Sequence, residues 1–338
     1  MLVVRPHEHA GLIDFSEAIE ALEEAFLALA ENPGLTLPRQ IVDRQVRLAV
    51  HQSSLPFLGA AGLMAHTRHF ASRPGLYPAA SLVFDLKSGA LDAVVLGQVL
   101  SGPPIDGVVD IRTAATSAVA TRLLARADAS TVGVLGSGRQ AQGHLVALAA
   151  VRPLRWVKVF SPSPAHRERF AKEMAEALKV QVTAVASAEE AVEGSDVVQV
   201  MTSADEPVLL GRWLRPGQHV TSVLGGETPR DPGGRPLKKP RRDLDDEVLK
   251  LIDVVVINSR AQAEQDFQGN LADAVEQGIL SWERIVELKD LVAGRSPSRA
   301  NARQITLYKN NGGVGIADMT LATLAARRAR ERGLGVEV

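Results

Sequence analysis

The chain has no cysteine in its 338 residues, so disulfides, thiolate zinc sites and a cysteine nucleophile are all excluded. Aromatic residues are scarce, with 8 Phe, 3 Trp and 2 Tyr, and the core must be built from Val, Leu, Ile and Ala. Neither sign of charge dominates: 38 basic and 39 acidic side chains leave a formal −1. That balance gives no global reason to expect nucleic acid or an anionic membrane as a partner. No uninterrupted apolar run approaches the ~20 residues that span a bilayer. The opening residues, MLVVRPHEH, meet charge too early for a secretory segment. A cytoplasmic protein with neither membrane nor nucleic-acid partner is the expectation. At 46% hydrophobic and 23% charged residues, the composition is that of a globular chain, not a disordered one.

The hydrophobic rhythm changes along the chain. Residues 15–31 place Ile19, Leu22, Ala25, Phe26 and Leu29 at three-four spacing, which predicts an amphipathic helix capped by Ser16 and stopped by Asn32-Pro33-Gly34. Short β-prone runs follow at 40–48, 61–66, 80–84 and 93–96, mostly antiparallel by their closeness. An Ala-rich helix is predicted over 110–126. From Ser130 strands alternate with helices: strands at 131–135, 156–160, 180–184, 197–201 and 220–224, helices at 140–150, 165–178 and 187–193. That alternation predicts βαβ units and a parallel sheet. A further apolar run at 252–257 leads into a segment read as helical and polar. The stretch PRDPGGRPLKKPRRDLDD, residues 229–246, is read as a solvated loop in preference to a nucleic-acid patch.

The sharpest local signal is TVGVLGSGRQAQ, beginning at Thr131, which sets Gly136, Gly138 and Ala141 as G-x-G-x-x-A between an apolar strand and a helix. Gly136 permits the tight turn, Gly138 lets backbone approach a pyrophosphate, and Ala141 lets the helix pack close to the sheet. Ser137, Arg139 and Gln140 complete the loop and the helix start, whose free N–H groups face an anion. A glycine-rich turn without a ligand is the plain alternative; the strand–turn–helix setting and the following βαβ units favour dinucleotide binding. The second strand of such a unit ends in an acid when the adenosine ribose is free. Here none is present: the strand runs into SPSP, with Ser161, Ser163 and, further on, His166 and Arg167. Hydroxyls and a base suit a 2′-phosphate, so NADP is expected as cofactor, with NAD as the alternative.

The segment RTAATSAVATRLLAR from Arg112, joined to GVLGSGRQAQ, resembles the ornithine cyclodeaminase/μ-crystallin family. Residues 21–30 with Leu37-Pro-Arg39, LVFDLKSGAL from Leu82, GGETP from Gly225 and ITLYKNNGGVGIAD from Ile305 agree in order and spacing, so the resemblance covers nearly the whole chain. It implies an α/β architecture: a Rossmann-type parallel-sheet domain, 116–304, inserted in an α+β substrate-binding and dimerisation domain formed by 1–115 plus 305–338. A homodimer is implied with it.

Family members act at an amino or imino carbon beside a carboxylate, so a small carboxylate (amino, imino or oxo acid) is the implied substrate. Arg112 at a helix start can hold a carboxylate bidentately, and by the resemblance Arg39 supplies a second contact. Taken alone, either arginine reads as an ordinary ion pair. Thr113 is assigned by the resemblance to the cofactor. Glu227 occupies the position of the family's catalytic aspartate and could steady an iminium or shuttle a proton. The family's G-x-K lysine is here Met64, which can neither bind a carboxylate nor move a proton. His66, Arg68 or His69 would have to replace it, His69 being carried forward as the second catalytic candidate, or the substrate differs from a simple amino acid. His66 and His69 stand three apart on a predicted strand and point to opposite faces, so no metal site is expected.

Three activities follow from the resemblance. The first is an NAD(P)H-dependent reductase of an imine or 2-oxo acid, the reverse of an amino-acid dehydrogenase. The second is a cyclodeaminase-like lyase that uses NAD catalytically, and the third is a cofactor-bound, μ-crystallin-like binding protein. The absent lysine and the absent ribose acid favour the reductase over the lyase.

Overall fold

The computed structural model describes every residue except 43–47, 68–78, 101–110, 225–227, 229–236, 238 and 313. The chain divides into two compact units, Met1–Thr116 with Gly313–Val338, and Ser117–Gly312.

In the first unit a seven-stranded sheet runs in the order Val336–Glu337, Leu2–Val4, Leu91–Leu96, Ala79–Asp85, Ala60–His66, Leu48–Leu55, Gln40–Val42. The four strands from Leu48–Leu55 to Leu91–Leu96 are antiparallel neighbours, as close spacing in sequence predicts. Leu2–Val4 departs from that rule, pairing parallel to Leu91–Leu96 and antiparallel to Val336–Glu337. The helix Phe15–Glu31 begins at Asp14, whose carboxylate accepts from the Glu17 N–H at 2.8 Å, so Asp14 and not Ser16 is the cap. Its predicted apolar positions are buried, and it packs on the helix Gly315–Glu331, which in turn lies on the sheet. A Cβ on Gly315 would stand 2.4 Å from the Gln52 carbonyl oxygen, so only glycine lets this helix start so close to the strand Leu48–Leu55.

The second unit is a parallel sheet in the order Ile285–Glu287, Val254–Ile257, Thr306–Lys309, His219–Ser222, Val197–Val200, Thr131–Leu135, Trp156–Phe160, Gln181–Ala184. All its paired strands run the same way. Val197–Val200, His219–Ser222, Val254–Ile257 and Thr306–Lys309 are buried at every residue, as strands covered on both faces must be. The chain winds outward from Thr131–Leu135 through Trp156–Phe160 to Gln181–Ala184, then crosses back to Val197–Val200, and this reversal opens a crevice at the carboxyl ends of the strands.

Two sequence expectations are corrected here. The chain was expected to return to the first unit at 305, but Thr306–Lys309 sits between His219–Ser222 and Val254–Ile257, so the return comes at about 313. Its polar residues hid a fully buried strand. The segment after Ile257 is also not purely helical, because Ile285–Glu287 extends the sheet beside Val254–Ile257.

The second unit buries one histidine completely. His219 Nδ1 lies 2.9 Å from Thr306 Oγ1, and Nε2 lies 3.2 and 3.1 Å from the hydroxyls of Thr121 and Thr221. Burial, reinforced by the charges of Arg299 and Arg152, pushes its pKa down to about 3 from the ordinary 6.5. The folded chain therefore keeps His219 neutral, while the unfolded chain takes up a proton near the ordinary value. Its contribution to stability is intact above that value and is lost as pH falls toward about 3. The variant His219→Gln is expected to remove up to about 1.4 kcal/mol per pH unit from the acid-side slope of the unfolding free energy. Urea denaturation across that range, read as a slope, checks this independently of any constant loss of stability.

Candidate active site

The G-x-G-x-x-A segment forms the turn between Thr131–Leu135 and the helix Arg139–Ala149. Gly136 has φ +119°, and a Cβ there would lie 2.2 Å from the Met201 carbonyl oxygen. Gly138 is the N-cap of the helix, and a Cβ on it would meet no atom within 4 Å, so its missing side chain leaves open space at the helix N-terminus. Ala141 is fully buried beneath. A crevice of about 770 Å³ is lined by Gly136, Ser137, Gly138, Arg139, Gln140, Ser161 and Pro162 on one side. Met201, Thr202, Ser203, Val223, Leu224 and Arg241 line the other. This open, glycine-walled cradle facing unbonded helix N–H groups fits the pyrophosphate of a dinucleotide. Gly136→Ala is expected to weaken cofactor binding at least about tenfold, because the φ and the Met201 carbonyl both resist a side chain; calorimetric titration with NADPH measures it.

Around the second strand end, Ser137 Oγ donates to Ser161 Oγ at 2.8 Å. Arg167 Nη1 donates to the Ser161 carbonyl at 2.9 Å, and its guanidinium lies 5.6 Å from the Phe160 ring centre. Ser163 caps the helix Pro164–Leu178. Ser161 thus lines the crevice, whereas Ser163 and Arg167 are not among its lining residues. Thr113 belongs to the first unit, on the helix Ile111–Leu124. Arg241, Thr202 and Ser203 escaped sequence reading because nothing local marks them. Arg241 belongs to the stretch read as a solvated loop, yet its Nε donates to Asp205 at 2.7 Å, and neighbouring Lys239 pairs with Glu206 at 2.6 Å.

In the first unit a second, small pocket of about 20 Å³ is lined by Met64, Ser81, Gly97, Gln98, Val99, Arg112, Asp318 and Leu321. Two predicted substrate residues, Met64 and Arg112, are brought together in its wall. Arg112, on the helix Ile111–Leu124, donates from Nε to Asp318 Oδ1 at 2.7 Å. Asp318 Oδ2 lies 2.9 Å from His51 Nδ1. Burial alone would raise the Asp318 pKa; the charges of Arg112 and His51 override it and hold the carboxyl down to about 2. The His66 ring centre is 5.3 Å from that of His51, and burial, then the His51 charge, push His66 down to about 4. Arg39 is buried, and its charge acts on His66. Asp318 closes the ITLYKNNGGVGIAD segment but was given no role, and His51 lies in no quoted segment; both were missed as site residues. Glu227, Arg68 and His69 lie outside the described residues. Among the described residues no group of three or more His, Asp or Glu could hold a metal ion, and no helix is long and apolar enough to cross a membrane.

A glycine cradle on a doubly wound parallel sheet, in a chain whose other unit sets a guanidinium against a small pocket, defines a nucleotide-dependent α/β protein of two units. More specifically, residues 65–333 match the model of the ornithine cyclodeaminase/mu-crystallin family, and the chain belongs to that family. It is similar to the Δ1-pyrroline-2-carboxylate reductase of Thermococcus litoralis, solved with NADH and L-proline. That structure is 31% identical, covers 100% of both chains and has a TM-score of 0.83. The iminosuccinate reductase of Paracoccus denitrificans, solved with NAD+, is 25% identical over 100% of this chain and 99% of that one, with a TM-score of 0.83. The ketimine reductase mu-crystallin of Mus musculus is 29% identical over 73% of this chain and 68% of its own.

Proposed function

We propose that the protein is a nicotinamide-dependent reductase of an imine beside a carboxylate, taking C=N to CH–NH. The observation that carries this reading is the Arg112 guanidinium, held at 2.7 Å by Asp318 in the wall of a small pocket in a chain that also has an open dinucleotide cradle. Reductases of a pyrroline carboxylate, of iminosuccinate and of a ketimine among the similar proteins support it. Gly136, Ser137, Gly138, Arg139, Gln140 and Ala141 form the cradle, and the cofactor, when bound, supplies a hydride to the imine carbon. Arg112 holds the substrate carboxylate and fixes the orientation of the imine. Arg39 adds a second positive charge, and Met64 closes the apolar side. We assign proton handling at the imine nitrogen to Glu227, with His69 as the second candidate.

NADP is the proposed cofactor: Ser161 lines the crevice after the strand Trp156–Phe160, and no carboxylate follows that strand before Glu168. A cytoplasmic homodimer is proposed with it. Val42 and Leu48, paired in register near the sheet edge, leave an exposed apolar face for a second copy, and light scattering tests that. The activity test is a panel of cyclic imines and of 2-oxo acids with amines, assayed with NADPH and NADH while absorbance and ammonia are followed together. Cofactor oxidation with tighter NADPH is expected. No oxidation across the panel overturns the reductase, ammonia release without net absorbance change points to the lyase, and tighter NADH overturns the cofactor assignment.

A further inference from the structure

The basic end of the proline-rich tract is tied down. Lys239 pairs with Glu206 at 2.6 Å, and Arg241 Nε donates to Asp205 at 2.7 Å. Backbone bonds join the same two segments: the Arg242 N–H donates to the Asp205 carbonyl at 3.3 Å, and the Val208 N–H to the Asp243 carbonyl at 3.0 Å. Two residues beyond Arg241, the Asp243 carboxylate is fully buried and bonded to Lys309, Ser222 and Asn270. Arg241 is thus presented from anchored backbone in the wall of the cofactor crevice, although its stretch has the composition of a solvated loop. We propose that Arg241 is a cofactor-binding residue that holds the pyrophosphate of the dinucleotide from the side opposite the glycine cradle. The inference rests on the dinucleotide reading of that cradle and deepens it.

The guanidinium is half committed. Nε serves Asp205 and Nη2 the Ser203 carbonyl, so the edge of the fork formed by these two nitrogens is bonded to protein. Nη1 bonds to no described group and remains a donor for an anion. The two bonds fix the plane of the fork before the cofactor arrives, which lowers the ordering cost of the contact. Asp205 does not cancel the charge: it is 81% exposed, and water screens a carboxylate so placed.

The charge of the crevice has the matching pattern. Its charged lining residues, among those described, are Arg139 at the start of the helix Arg139–Ala149 and Arg241 on the other side, and none is acidic. A pyrophosphate is anionic at both phosphates, and the helix N–H groups reach it from the cradle side alone. Strand order separates Arg241 from the other anion an NADP would bring. Trp156–Phe160, whose end carries Ser161, lies on one side of the central strand Thr131–Leu135. Val197–Val200 and His219–Ser222, whose following residues line the crevice beside Arg241, lie on the other. The 2′-phosphate belongs to the first side and the pyrophosphate to the middle, so the pyrophosphate is the anion within the reach of Arg241.

The test is calorimetric titration of the full-length protein with NADPH, NADH and ADP-ribose, the last having the pyrophosphate but neither nicotinamide nor 2′-phosphate. R241A is expected to weaken all three by the same factor, about tenfold. R241K, which keeps the cation but cannot serve Asp205, Ser203 and a phosphate with one planar group, is expected to lose about threefold. Raising salt from about 0.05 M to about 0.5 M should narrow the gap between wild type and R241A, because a part-exposed ion contact is screened. Loss of a merely structural residue would leave that gap unchanged. Equal binding by wild type and R241A overturns the proposal, and so does a gap that salt does not narrow. A loss confined to NADPH assigns Arg241 to the 2′-phosphate, and a loss absent with ADP-ribose assigns it to the nicotinamide end; either result overturns the pyrophosphate contact. A wild type that binds none of the three defeats the cradle reading and the inference with it, whereas an unaltered R241A defeats the inference alone.

Discussion

Replacing Arg112 by Ala is expected to lower kcat/KM for a carboxylate-bearing imine about a hundredfold or more, most of it through KM. The guanidinium is orientated before substrate arrives. Its Nε is committed to Asp318 Oδ1, which fixes the plane of the fork, and Asp318 itself is 8% exposed and held ionised. A carboxylate meeting such a fork makes charge-assisted bonds without first ordering a flexible side chain. Truncation at 112 removes those bonds and also strands the Asp318 charge in a buried place, where it repels the substrate. Arg112→Lys keeps the charge but cannot serve Asp318 and a substrate carboxylate with one planar group, so an intermediate loss of about tenfold is expected. Asp318→Asn should resemble the lysine variant, because the fork loses its orientation while the cation remains. Steady-state kinetics at fixed saturating NADPH separates the cases. A fall in kcat at constant KM in the alanine variant would remove Arg112 from carboxylate binding.

What could be read in the sequence divides along physical lines. The span of the helix Phe15–Glu31 was legible because its spacing is amphipathic and a Pro-Gly stop follows it, although its cap proved to be Asp14 and not Ser16. The glycine cradle was legible because a dinucleotide imposes requirements on consecutive residues, and a local motif survives any amount of divergence elsewhere. The pocket chemistry was half legible: Arg112 stood out on its helix, but Asp318, its partner, lies 206 positions away, and His51 meets Asp318 only through the packing of a helix on a distant strand. Thr306–Lys309 was overlooked as a strand for a related reason. Its Thr, Tyr and Lys look like surface residues until Thr306 meets His219, Tyr308 meets Asn258 and Lys309 meets Asp243. Polar groups satisfied by distant partners leave no periodic trace.

The same strand underlies the second large effect. Lys309→Met is expected to lower the unfolding free energy by about 3–5 kcal/mol, because it leaves a buried carboxylate without its cation. Lys309 and Asp243 are 1% and 0% exposed, with Nζ 2.9 Å from Oδ1. Nζ also lies 2.5 Å from Ser222 Oγ, which donates to Asp243 Oδ2 at 2.6 Å, while Asn270 Nδ2 donates to Oδ1 at 2.9 Å. Burial pushes the Lys309 ammonium pKa down, and Asp243 opposes that shift. Every oxygen of the carboxylate is therefore served, and removing one donor of charge leaves the desolvation cost uncompensated. The double variant Lys309→Met with Asp243→Leu removes both charges and should recover most of the loss, since well-packed apolar replacements of a buried pair are often nearly neutral. Urea denaturation of the two single variants and the double one gives the coupling directly; a loss below about 1 kcal/mol in the single variant would reject the argument. The position of the cluster ties stability to the site. Lys309 and Ser222 end neighbouring strands, and the next residues after Ser222, Val223 and Leu224, line the cofactor crevice. The double variant, folded but without the Ser222 bonds, should consequently bind NADPH more weakly than its stability alone would require, separating the structural role of the ion pair from its role in holding that wall.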